Sequence, residues 1–143
     1  MNSRDLLLAG LSPASGRAHT PVQVQKLFFL IDANISGEIG GAAFRFAPYD
    51  YGPFDAAVYR GLDRLAAEGL VDIQFDPGLR TRCYRLTEHG QAQGATLLAG
   101  LSPRAQDYIR RASEFVRSLS FEELIAAIYK AYPAMKVNSV FRD

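Results

Sequence analysis

Arg80, Arg82 and Arg85 fall within six residues, and Asp76 is the one acid close beside them in the chain. Guanidinium groups gathered in this way hold phosphates or an acidic protein surface, since their planar donors suit either. They serve equally to keep a hairpin soluble. Two further arginines, Arg60 and Arg64, lie on a helical stretch from Asp55 to Leu70 together with Asp55, Asp63 and Glu68. Reading a base takes Arg or Lys for guanine and Asn or Gln for adenine. The stretch offers two arginines diluted by three acids and no amide side chain, so its alternative is a solvated face of spaced charge pairs. A third cluster is aromatic, with Tyr49, Tyr51 and Phe54 in one turn and Tyr59 shortly after. Aromatic side chains anchor protein interfaces, yet a Gly-Pro turn also needs packing, and both readings stand.

The remaining chemistry is sparse. His19 and His89 are far apart and lack a third ligand at helical spacing, so no metal site is expected. Cys83 is the one cysteine; it has no identifiable base and reads as a buried thiol or a surface residue. Glu122 and Glu123 complement a helix dipole. No nucleophilic triad, phosphate-cradling glycine loop or paired-acid motif is present, so the chain reads as a non-enzyme without cofactors.

The elements that must position these groups follow from caps and periods. Ser3 is placed to cap a short helix over Arg4 to Ala9 that buries Leu6, Leu7 or Leu8, with Gly10 ending it. Thr20-Pro21 has the cap-plus-proline signature of a helix start, and the helix runs to about Asn34, apolar nearly all round. Ala43 to Ala47 alternates as a strand with Phe44 and Phe46 inward, and Pro48 to Pro53 is an aromatic turn. The helix from Asp55 stops at Gly69-Leu70. Val71 to Phe75 and Arg82 to Leu86 alternate apolar with polar around Asp76-Pro77-Gly78, which makes a β-hairpin with a basic tip. Helices follow from Thr87 to Leu98, from Pro103 to Ser118 with Ala105, Tyr108, Ile109, Ala112, Phe115, Val116 and Leu119 as an apolar seam, and from Ser120, whose capping box uses Glu123. Pro133 closes the last.

At 143 residues the chain suits one domain, with residues 1–90 as a core and 91–143 as a helical extension packed on it. No run approaches the roughly 20 apolar residues of a membrane span. The Leu6-Leu7-Leu8 run is too short for a signal peptide, and a lone cysteine fits a reducing cytoplasm. A net charge of +1 confines any nucleic-acid footprint to a local patch.

Several strings stand out together: Gln25-Lys26-Leu27-Phe28-Phe29-Leu30; Pro48-Tyr49-Asp50-Tyr51-Gly52-Pro53-Phe54; Val58-Tyr59 with Leu62 and Leu65; Tyr84-Arg85-Leu86-Thr87-Glu88 with Gly90; and Tyr129, Tyr132-Pro133 and Val137-Asn138-Ser139. On these the chain resembles the YwgA-like winged-helix proteins and, more distantly, the Panacea domain of SocA-type antitoxins. The resemblance spans nearly the whole chain. It implies a winged-helix core and, on the Panacea side, neutralisation of a toxin by protein contact. One departure is the span from Ile35 to Pro53, far longer than the turn of a plain helix-turn-helix.

The expectation is therefore a mainly α protein with a small antiparallel sheet (α+β), a winged helix-turn-helix with C-terminal helices. Its leading function is DNA binding as a transcriptional regulator through Arg60, Arg64, Arg80, Arg82 and Arg85, as a homodimer joined along the helix from Pro103 to Ser118. The alternative is a protein-binding module of the antitoxin or adaptor kind, working through Tyr49, Tyr51, Phe54 and Tyr59.

Overall fold

The computed structural model describes residues 1–141. Helix α1 (Ser3–Leu11) is capped by Asn2, whose side-chain oxygen accepts the Asp5 N–H at 2.8 Å, so the cap lies one residue before the expected Ser3. Gly10 does not end this helix. It lies against the Phe28 ring, where a Cβ would come within 2.5 Å of Cε1, and the helix needs it for close approach. Leu6, Leu7 and Leu8 are all fully buried, because α1 is covered from several sides, by the helices Ala56–Ala67 and Glu88–Ala99 among others.

Helix α2 (Pro21–Ile35) opens on a capping box in which Thr20 and Gln23 satisfy each other's backbone N–H groups. It is buried over most of its circumference, including the polar Gln25 and Lys26. The following stretch corrects the sequence reading, since residues 43–46 form no strand. Asp32 accepts the N–H groups of Ala43 and Phe44 at 3.0 and 2.8 Å, and Asp55 accepts that of Arg45 at 2.7 Å. Two carboxylates thus take the donors that a sheet ladder would have used. Phe44 still points inward and Phe46 is half-buried, joined edge-on to Phe28 and Phe29.

The aromatic turn is itself a hairpin. Strands β1 (Ala47–Tyr49) and β2 (Gly52–Phe54) pair antiparallel, Tyr49 opposite Gly52, and Gly52 sits at φ +103°. Asp55 then caps α3 (Ala56–Ala67) by accepting the Ala57 N–H. Gly69 in the left-handed region ends it, and Leu70 folds back onto the Leu65 carbonyl. Strands β3 (Val71–Asp76) and β4 (Thr81–Leu86) form a second antiparallel hairpin. Its turn is held by Asp76, which accepts the N–H groups of Gly78 and Leu79. At its root, His19 and Tyr84 exchange two backbone hydrogen bonds, tying the approach to α2 onto β4.

Helices α4 (Glu88–Ala99), α5 (Pro103–Ser118) and α6 (Phe121–Ala131) complete the α+β architecture, with Thr87, Ser102 and Ser120 as N-caps. On α5 the buried stripe is Ala105, Ile109, Ala112 and Val116, laid against α2. Phe115 falls outside it and is exposed, because it sits one residue, about 100° of helix, from Val116. Apolar residues from both 1–90 and 91–143 belong to one core cluster running from Leu6 to Ile128. Among the described residues, no helix is long and apolar enough to cross a membrane.

Candidate functional site

A groove of about 700 Å³ opens where four elements meet the β1–β2 hairpin. The hairpin supplies Tyr49, Tyr51 and Phe54, the first turns of α2 supply Pro21 and Lys26, and α3 supplies Tyr59. The turn of the second hairpin adds Leu79, and the start of α6 adds Phe121. All four aromatic residues expected to meet a protein therefore face one space. Tyr49 stacks on Phe54 at 5.0 Å between ring centroids, Phe54 meets the edge of Tyr59 at 5.7 Å, and Tyr51 meets Phe121 at 5.3 Å. Eight large apolar side chains are exposed among the described residues, and four of them rim this groove: Tyr49, Tyr51, Leu79 and Phe121. Scattered exposed apolar groups need no explanation, but a contiguous set does.

The floor is polar. Gln25 grips the backbone of Asp55 from both sides, its amide donating to the carbonyl at 3.0 Å and its oxygen accepting the N–H at 2.9 Å. Lys26 is only 3% exposed, and its Nζ donates to the Pro53 carbonyl at 3.3 Å. No carboxylate among the described residues lies within ion-pair distance of it. Burial pushes its ammonium down to about 8. Burial, with Tyr84 adding to it, pushes the Tyr59 hydroxyl up to about 12. Sequence reasoning quoted Gln25 and Lys26 only as part of a motif and gave them no role. The signal was present, since they are an adjacent polar pair inside a helix that is otherwise apolar from Val24 to Ile31.

The arginines are dispersed. Strand alternation puts Arg82 on the same face of β4 as Tyr84 and Leu86, and Arg85 on the other. Arg82 bridges to Asp63 of α3 at 3.0 Å and lies over the Tyr84 ring at 5.8 Å, while Arg85 bridges to its cross-strand partner Asp72 at 3.2 Å. Asp76, the acid expected to oppose them, spends one carboxylate oxygen on its own turn. Arg80 sits in the turn at φ +57°, exposed. Arg60 and Arg64 are exposed on α3, and among the described residues none of these three has an ion-pair partner.

Elsewhere, Arg17, Arg110 and Arg117 surround a polar depression of about 540 Å³ with Glu114. His19 is 1% exposed, and among the described residues neither ring nitrogen has a hydrogen-bond partner. Burial, reinforced by Arg117, pushes its imidazole down to about 4. His89 is exposed and Cys83 is buried, with burial raising its thiol above the ordinary value. Among the described residues, no three His, Cys, Asp or Glu side chains converge as a metal site would require. No family model matches the chain, and no curated protein matches it.

Proposed function

We propose that this protein is a recognition module for another protein, of the adaptor or antitoxin kind, and that it seats a segment of its partner in the aromatic groove. The observation that carries this reading is the convergence of Tyr49, Tyr51, Phe54 and Tyr59 around one apolar space. Binding energy concentrates in such aromatic anchors, and Tyr49, Phe54 and Tyr59 are already in ring contact in series while Tyr51 meets Phe121, so little side-chain freedom is lost on contact. Charge points the same way. Arg82 and Arg85 are neutralised by Asp63 and Asp72, whereas a phosphate-binding surface needs free cations. The resemblance to the YwgA-like and Panacea proteins fits this reading, with α3 and the β3–β4 hairpin as helix and wing. Cys83, a buried lone thiol, suits a cytoplasmic setting.

The test is co-purification from the native host with wild type and with the double variant Tyr49→Ala, Tyr51→Ala. A stoichiometric protein should accompany the wild type and be lost from the variant. Recovery of no such protein, or its equal retention by the variant, would refute the reading.

Exposed Arg60, Arg64 and Arg80 favour a second reading, a DNA-binding regulator using the same helix and hairpin. A homodimer joined along α5 would use the outer face of that helix, since its apolar stripe packs on α2. Mobility shifts against genomic fragments should then weaken steeply with salt. Unchanged binding in the triple alanine variant at these arginines would eliminate it.

A further inference from the structure

The groove has an unusual floor. Its walls are aromatic and aliphatic, yet at its base lies a lysine whose ammonium is withdrawn from water and, among the described residues, makes a single hydrogen bond, to Pro53. An ammonium has three donors, and removing it from water without a counter-charge is costly. The acids on the surrounding elements do not supply that counter-charge. Asp55 gives both oxygens to the N–H groups of Ala57 and Arg45. Asp32 gives both to Ala43 and Phe44. Asp50, on the hairpin turn, lines the groove but is exposed and outside ion-pair distance. Glu123 at the start of α6 accepts the Ser120 N–H, and among the described residues the groove and its floor also carry the hydroxyls of Tyr49, Tyr51, Tyr59 and Tyr129, the last with its ring beside Gly52.

We infer that the floor of the groove is a carboxylate site, in which Lys26 pairs with an aspartate or glutamate side chain of the partner while flanking apolar residues of the same segment pack on Tyr51, Phe54 and Phe121. The inference rests on the groove being a protein-binding site and specifies what it selects. A carboxylate entering this position restores the missing counter-charge in a dry setting, where a charge-assisted hydrogen bond is stronger than in water. A neutral segment leaves the ammonium buried and unpaired, so Lys26 also discriminates against partners lacking the acid. Because the unliganded ammonium titrates at about 8, the selection operates at neutral pH and fades above it.

The probe is a phage-displayed library of random peptides, selected on wild type, Lys26→Met and Tyr51→Ala. Enriched sequences are then made as synthetic peptides with blocked termini for fluorescence anisotropy. Wild type should enrich peptides with Asp or Glu at one fixed position among apolar residues. Replacing that acid by its amide should weaken binding about tenfold or more, and the same replacement should matter little on Lys26→Met, whose fold is checked by circular dichroism. Independently of any variant, the acid-over-amide preference of wild type should shrink as pH rises from 7 to 9.5. Peptides that need Tyr51 but carry no acid, an acid preference that persists on Lys26→Met or is unchanged by pH, or dependence on a free C-terminus would overturn the carboxylate site while leaving the groove as a protein-binding site. Enrichment of no peptide would overturn both.

Discussion

Replacing Lys26 by methionine should make the protein more stable at neutral pH. The lowering of its ammonium from 10.5 to about 8 corresponds to about 3 kcal/mol acting against the folded state whenever the group is charged. Methionine matches the lysine stem in shape and removes that penalty, while forfeiting the hydrogen bond to Pro53, worth about 1 kcal/mol. The net gain is about 2 kcal/mol at pH 7, or about 4–8 °C in Tm for a chain of this size. The pH dependence carries a sign. Between about 8 and 10.5 the unfolded chain keeps the Lys26 proton while the folded one releases it, so wild-type stability from this group rises with pH. The advantage of the variant should therefore narrow across that window. Tyr59, Tyr84 and Cys83, all raised by burial, pull stability down as pH rises, but they do so in both proteins and cancel in the difference. Urea unfolding followed by far-ultraviolet circular dichroism at pH 7, 8, 9 and 10 gives the comparison. A variant less stable than wild type at pH 7, or a gap that stays constant to pH 10, would refute the argument that the ammonium is held at a cost.

Three further outcomes are expected. His19 is neutral in the folded chain down to about 4, whereas the unfolded chain takes up the proton near 6.5; wild type should lose about 3 kcal/mol as pH falls through that interval, and His19→Leu should unfold at lower pH. Coincident acid-unfolding midpoints would count against this. A Cβ at Gly94 would strike the Leu8 carbonyl of α1, so Gly94→Ala should destabilise by about 1–3 kcal/mol, read by thermal unfolding; an unchanged Tm would mean that α1 and α4 can separate without penalty. Gly52 combines φ +103° with a Cβ position 3.1 Å from the Tyr129 ring. Gly52→Ala should cost about 1–3 kcal/mol and abolish peptide capture, and capture at wild-type affinity would show that the hairpin does not shape the groove.

Much of the architecture was readable one residue at a time, because caps and turns are local. Thr20-Pro21, Ser102-Pro103, the Ser120 and Glu123 box, and Gly69 each mark the element end they were expected to mark. What failed depended on partners distant in the chain. The alternation of residues 43–47 promised a strand, but Asp32 and Asp55 claim its N–H groups. Gly10 looked like a helix stop, yet it serves the Phe28 ring on another helix. The aromatic set was found by residue type, because Tyr and Phe in a Gly-Pro turn stand out wherever they point. The floor beneath it was not, since burial of Lys26 depends on β2, distant in the chain, packing against α2. Likewise the arginines of the second hairpin drew attention by density, while the acid that neutralises Arg82 is 19 positions away on α3.

The β1–β2 hairpin has three residues in each strand, too few to persist alone in water. It is held from elsewhere. Lys26 bonds Pro53, Asn138 donates to the Pro48 carbonyl, and the Val140 N–H donates to that of Asp50. The wall that carries Tyr49 and Tyr51 thus depends on contacts reaching some 90 positions along the chain. The aromatic wall is therefore a long-range product of folding, in which the chain near Asn138 and Val140 braces a turn it meets only in the folded state.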